Sequence, residues 1–199
     1  MSFPSDIKEL QFYFGNDDSD KVRAYPAKGL NVPLYILGSS PESAYLAGEL
    51  GLPYAFASHF APRFLVQAVE IYRREFKPSD VLDKPKVIVG LNAIVADTDS
   101  EAQLLSTTSL QFFLNVVTGE RSGMKPPAPD IEGRIPPHIL SMAKSMTACS
   151  VIGSPQTVIA QLEQLQSQVN ADEFMAVSYI YDKDKQARSY ELLADVAKG

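Results

Sequence analysis

The sequence predicts an α/β fold built on a parallel sheet. Two observations carry this. Short apolar runs, rich in Val and Ile, alternate with segments whose apolar residues recur at helical spacing. The runs are continuous rather than alternating, as in strands covered on both faces. A sheet whose strands are joined by helices is built from β/α units with parallel strands.

The elements follow in order. Residues 3–14 read as a short helix, with Ser5 or Asp6 as cap and Ile7, Leu10 and Phe14 on one side. Residues 15–28 are polar loop. Val32–Gly38 is an apolar run ending in glycine, the first expected strand. Ser40-Pro41 starts a helix, with Ser as N-cap and Pro at the first helical position. Its Ala44, Ala47 and Gly48 suit close packing on a sheet, and Gly51 ends it. Tyr54–Ser58 is the second expected strand. Pro62 opens a helix carrying Phe64, Leu65, Ala68, Val69, Tyr72 and Phe76 at helical spacing. Lys86–Ala96 is the third strand. Thr98-Asp99-Ser100-Glu101 is a capping box that starts a long helix to about Val117.

Residues 118–138 break the rhythm. Five prolines and three glycines make this a loop of about twenty residues, read as a mobile insertion able to lid a site. A solvated connection explains the same composition. His138–Ala148 reads as a short helix. Ser154-Pro155 caps another, with Val158, Ile159, Leu162, Leu165 and Val169 on its core face. Phe174–Tyr181 is the fourth strand, and residues 184–197 close the chain as a helix. The 199 residues suit a single domain over 1–199.

Charge and composition exclude several function classes. The net charge is −6 and no basic stripe is present, which argues against nucleic acid and anionic membrane as main partners. No apolar run approaches the ~20 residues of a membrane span. The first residues lack the pattern of a signal peptide, so a cytoplasmic location is expected. Cys149 is the single cysteine, which permits no internal disulfide and suits a reducing compartment. It reads as a packing residue. His59 and His138 lack carboxylate or cysteine company at ligand intervals, so no metal site is expected. No P-loop, G-x-G-x-x-G or G-x-S-x-G occurs.

Four features can carry chemistry. Gly38-Ser39-Ser40-Pro41-Glu42-Ser43 joins a strand end to a helix start. The first helical turn has unpaired N–H groups and a partial positive charge, so a phosphate binds there readily. Gly38 lets the backbone approach, and Ser39, Ser40 and Ser43 add hydroxyls. An ordinary N-cap with polar neighbours accounts for the same residues. Ser58-His59-Phe60 follows the second strand, and strand C-terminal ends carry the active sites of parallel β/α folds. His59 can donate to a ligand or move a proton, or it can simply bind backbone. The third is the 118–138 loop with Arg121, Lys125 and Arg134. The fourth is Ser150-Val151-Ile152-Gly153-Ser154-Pro155, a second helix start of similar grammar, readable as an anion site or as a structural cap.

The run Pro33–Pro62, with Gly38-Ser39-Ser40-Pro41-Glu42-Ser43-Ala44 and Ser58-His59-Phe60 inside it, resembles the middle of the luciferase-like, flavin-dependent monooxygenases. The likeness resumes at Ile152–Val158, Ala171–Val177 and Arg188–Ala194, and so spans nearly the whole chain. The resemblance implies a (β/α)8 TIM-type barrel, of which this chain supplies about four β/α units, the C-terminal half. It implies FMN as cofactor, reduced by a separate NAD(P)H-dependent reductase and used with oxygen to oxidise a small organic substrate such as an aldehyde. It places the flavin phosphate on the positions matching Ser39, Ser40 and Ser43, beside Gly38, and brings His59 near the flavin or substrate.

Family members are longer, and their N-terminal half supplies four further strands. Four strands cannot close an eight-stranded barrel, and open parallel edges invite association. The chain is therefore expected to be a fragment or half that needs its N-terminal counterpart, or to pair with a second copy by two-fold symmetry. A deazaflavin in place of FMN, and a non-catalytic flavin-binding or assembly half-barrel, remain as alternatives.

Overall fold

The computed structural model describes residues 3–16 and 22–198. It is a five-stranded parallel sheet with helices between the strands. The elements are α1 (Phe3–Phe14), β1 (Ile36–Gly38), α2 (Pro41–Leu50), β2 (Tyr54–Ala57), α3 (Leu65–Glu75), β3 (Val87–Val95), α4 (Asp99–Thr118), α5 (Pro137–Met146), β4 (Val151–Gly153), α6 (Pro155–Val169), β5 (Glu173–Val177) and α7 (Lys183–Val196). Short 3-10 turns occupy Pro62–Phe64 and Glu132–Arg134. No helix among the described residues is long and apolar enough to cross a membrane.

β3 is the centre of the sheet. Its first half pairs in parallel with β2 and with β5, and β1 pairs with β2. The last three residues of β3, Ala93–Val95, pair with β4. β3 also runs past the end of β5, and there side chains replace a strand. Ser178 Oγ donates to the Ala93 carbonyl at 2.5 Å, and Val95 N–H donates to Ser189 Oγ at 2.9 Å. Both serines are buried, so these bonds satisfy backbone groups that would otherwise be desolvated without a partner.

The period of two along each strand assigns its faces. Ile36, Tyr54, Phe56, Val87 and Val89 point to the helix side and form the main core with Ala44, Ala47, Leu65, Ala68, Val69 and Tyr72, while Leu91 on the same side joins a second cluster with Ala93, Val95, Val151, Val158 and Leu192. Leu37, Ala55, Ala57, Ile88, Gly90, Asn92 and Met175 fall on the other face by register. That face is open at its flanks: Leu37 is 68% exposed and Met175 67%. Toward the strand C-termini α4 covers it, with Ile94, Ala96, Ala102, Leu105 and Ile180 in one cluster.

Helix ends follow the sequence closely. Gly51 closes α2 with φ 61°, in the left-handed region that glycine tolerates. Its N–H bonds back to the Gly48 carbonyl. A Cβ there would lie 2.4 Å from the Lys77 carbonyl, so glycine is required twice over. Thr98 Oγ1 accepts from Glu101 N–H at 3.2 Å, as the capping box predicts.

Several expectations change. The first strand is three residues long, not seven: Val32–Tyr35 precede it without strand structure, because its partner β2 begins only at Tyr54. The last strand stops at Val177, where Ser178 turns its hydroxyl onto β3. The Pro62 helix opens as a 3-10 turn before α3. In α1, Ile7 is buried but Leu10 is 42% exposed. Part of the expected 15–28 loop, residues 17–21, lies outside the described residues. β4 is a fifth strand where a helix start alone was expected. Cys149 packs against the main core, and burial pushes its thiol up.

The segment between α4 and α5 is bound along α4. Thr108 Oγ1 donates to the Lys125 carbonyl, Gln111 Nε2 to the Pro126 carbonyl and Asn115 Nδ2 to Ser122 Oγ, while Ala128 N–H donates to Thr107 Oγ1. The helical positions 107, 108, 111 and 115 thus present one polar stripe to this segment.

Candidate active site at the strand ends

The sheet gathers the sequence-expected residues at its C-terminal edge. Gly38, Ser39, Ser40 and Ser43 lie where β1 turns into α2. A Cβ on Gly38 would sit 2.0 Å from Ser43 Oγ and 2.2 Å from Ser43 Cβ. Only glycine lets the α2 start close this tightly over the strand end. Ser43 Oγ donates to the Ser40 carbonyl at 2.6 Å and lies 3.0 Å from the Tyr54 hydroxyl. Ser40 has extended N-cap geometry, but its side chain does not cap the helix N–H groups in the usual way. Instead its hydroxyl bonds Glu42. That bond is the main cause holding the Glu42 carboxyl below its usual range, with the Glu42 N–H second. Glu42 is exposed and is the acidic residue of α2's first turn.

His59 lies elsewhere on the same edge, at the end of β2. Its Nδ1 is 3.3 Å from the Gly90 carbonyl. A Cβ on Gly90 would come within 3.2 Å of the imidazole, so the missing side chain makes the slot in which the ring rests. The Phe60 ring is 4.4 Å from it between centroids, tilted by 46°. Ser58, fully buried, donates to the Gly90 carbonyl at 2.6 Å and fixes the turn that carries His59. His59 is therefore held by β3 rather than swinging on a loop.

Three groups near this edge escaped the sequence reading. Tyr54 was placed in a strand without a role, yet its hydroxyl reaches both Ser43 and the Ser40 carbonyl, the latter at 3.3 Å. Burial, the largest cause, pushes its phenol up to about 12. Asn92 is buried on the open face of the sheet, where its Nδ2 donates to Ser109 Oγ of α4 at 3.2 Å. Tyr179 follows β5 and stacks on Phe112 of α4, with centroids 5.0 Å apart and planes 16° apart. A buried polar residue inside an apolar strand was the one available signal for Asn92. The other two partnerships join distant segments and leave no local mark.

The fourth sequence feature, at the start of α6, is filled from within. Asp99 of α4 accepts from Ser154 N–H at 2.6 Å. That bond leads the causes holding the Asp99 carboxyl below its usual range, followed by the Thr157 hydroxyl and the Ser154 hydroxyl. The chain's own carboxylate takes the place an external anion would use.

Comparison with known proteins places the chain in a family. The model of the luciferase-like monooxygenases matches residues 11–170. The Bacillus subtilis (strain 168) protein YvbT is 43% identical over 198 residues, covering 98% of this chain and 59% of YvbT. An Escherichia coli (strain K12) luciferase-like monooxygenase is 38% identical over 196 residues, covering 98% of this chain and 58% of that protein. Among solved structures, apo-MsnO8 superposes with TM-score 0.87 at 29% identity, covering 98% of this chain and 59% of that one. The coenzyme F420-dependent tetrahydromethanopterin reductase of Methanopyrus kandleri gives 0.60 at 18% identity, covering 96% and 61%, a likeness of fold alone. The chain spans about three fifths of the length of the curated relatives it matches. Its open sheet is accordingly part of a TIM-type barrel, and the chain belongs to the luciferase-like monooxygenase family.

Proposed function

We propose that this chain is the cofactor-phosphate-holding part of a flavin-dependent monooxygenase. The observation that carries it is the α2 start. There a glycine-enforced close approach gathers three serines at the first helical turn, where Ser40 does not cap the helix and the exposed Glu42 carboxylate alone is set against its own N–H. These residues fit a phosphate: Gly38 removes the Cβ that would fill the cradle, and Ser39, Ser40 and Ser43 offer donors. Reduced FMN, supplied by a separate reductase, would bring the oxygen chemistry when bound. The chain's residues would bind and orient it: Ser39, Ser40 and Ser43 at the phosphate, and His59, fixed against Gly90, facing the reacting ring or the substrate. A small organic molecule such as an aldehyde is the proposed substrate class.

The remaining walls would come from the part of the barrel that completes the relatives' length, or from a second copy of this chain. A cytoplasmic setting fits the same account. A deazaflavin is the second reading, favoured by the F420-dependent proteins among the structural neighbours. It uses the same phosphate cradle. A non-catalytic flavin-binding or assembly role would leave binding intact and turnover absent.

The test is fluorescence titration of FMN and of F420 with the purified chain, alone and with the uncovered part of the Escherichia coli relative supplied. FMN should be quenched and bound more tightly than F420. Ser40→Ala with Ser43→Ala should weaken binding at least tenfold, two charge-assisted hydrogen bonds being worth more than that. No FMN binding in either setting would end the proposal.

A further inference from the structure

The Ser43 hydroxyl has one proton, and it is committed to the Ser40 carbonyl at 2.6 Å. While that bond holds, Ser43 cannot donate to an anion. A second donor stands at the same carbonyl: the Tyr54 hydroxyl, 3.3 Å from it and 3.0 Å from Ser43 Oγ. The three oxygens form a triangle with two protons, so the side-chain donor to Ser40 can be exchanged rather than lost.

We infer that Tyr54 is a positioning residue for the cofactor phosphate: it takes over the Ser40 carbonyl and so frees the Ser43 hydroxyl to turn onto the anion. This rests on the phosphate site proposed above. Tyr54 suits the task. It is fully buried, and its ring is fixed by Tyr72 at 5.2 Å and Phe56 at 6.2 Å between centroids. Its hydroxyl therefore has a fixed position. A phenol is protonated through the neutral range, and burial only moves its ionisation further away, so the donor is always present. Without it, rotation of Ser43 would strip the Ser40 carbonyl of both its side-chain donors, a penalty charged against binding.

The experiment compares FMN with riboflavin, which lacks the phosphate, by fluorescence titration of the wild-type chain and of Tyr54→Phe, Ser43→Ala and the double variant. The phenylalanine keeps the ring contacts, and a circular dichroism melt checks folding. The expected result is that Tyr54→Phe lowers the preference for FMN over riboflavin about tenfold, with riboflavin affinity unchanged. The double variant should lose no more than Ser43→Ala alone, since both act through one hydroxyl. An unchanged preference in Tyr54→Phe overturns the inference, as does an equal loss for both ligands or full additivity in the double variant. A wild-type chain that binds FMN no better than riboflavin overturns the phosphate site itself, and the inference with it.

Discussion

Two helices of this protein begin with nearly the same words. At α2 the chain reads Gly38-Ser39-Ser40-Pro41-Glu42-Ser43, and at α6 Gly153-Ser154-Pro155-Gln156-Thr157. In both, a glycine at the strand end leaves room for a hydroxyl residue on the first turn. A Cβ on Gly38 would strike Ser43, and one on Gly153 would strike Thr157 at 2.6 Å. The difference lies across the turn. At α6 the Asp99 carboxylate of a neighbouring helix accepts from Ser154 N–H and fills the anion position. At α2 the first-turn carboxylate is its own exposed Glu42. One start is closed by a carboxylate from a distant element, and the other carries only its own exposed Glu42 and is the one proposed to take a ligand. Sequence grammar specifies a helix N-terminus, and long-range packing decides whether it becomes a site.

The comparison can be broken most severely at the glycines. Gly38→Ala should abolish FMN retention and destabilise the fold by about 1–3 kcal/mol, as overpacking does. Gly153→Ala should cost about 2 kcal/mol or more, because its φ of 158° and the clash with Thr157 and Asp99 add, yet FMN binding should survive. Urea denaturation with parallel FMN titration reads both. Equal loss of FMN in the two variants would erase the distinction between the starts.

Asp99→Ala tests the closed start. Thermal melts should show lower stability, and added inorganic phosphate should recover part of the loss by binding where the carboxylate was. In the wild-type chain Asp99 has a depressed pKa from its Ser154 and Thr157 bonds. Its contribution is therefore present above the ordinary aspartate pKa and is lost as pH falls through the lowered value. The variant should show a shallower acid limb than wild type. An identical acid limb would mean that Asp99 does not stabilise α6.

The smallest effect belongs to Glu42. Its carboxylate is held ionised by the Ser40 hydroxyl and its own N–H, and it repels a second anion at the same turn. Glu42→Gln should raise FMN affinity about two- to threefold at low salt, and the gain should shrink as salt screens it. A fall in affinity would show that Glu42 helps to hold the ligand.

The elements most legible in the sequence were those with long signals. β3 is nine residues, five of them Val or Ile, and α4 carries its capping box, so both announce themselves. β4 has three residues and no period, and it exists because β3 overruns its neighbours and leaves backbone groups to be paired. Val32–Tyr35 show the reverse: apolar residues without a facing partner form no strand. At the site, Gly38, Ser39, Ser40 and Ser43 are close in sequence and were legible together. His59 was legible as a strand-end residue, but its slot against Gly90 joins positions 31 residues apart. Tyr54 looked like strand filling because nothing local marks where its hydroxyl ends.

The proposed ligand site at the α2 start is tested most directly by amide chemical shifts of the isotope-labelled chain during titration with FMN. The account predicts that Ser39, Ser40, Glu42 and Ser43 shift together and saturably, while Ser154, Gln156 and Thr157 stay in place. Shifts centred on the α6 start, or equal at both, would contradict it.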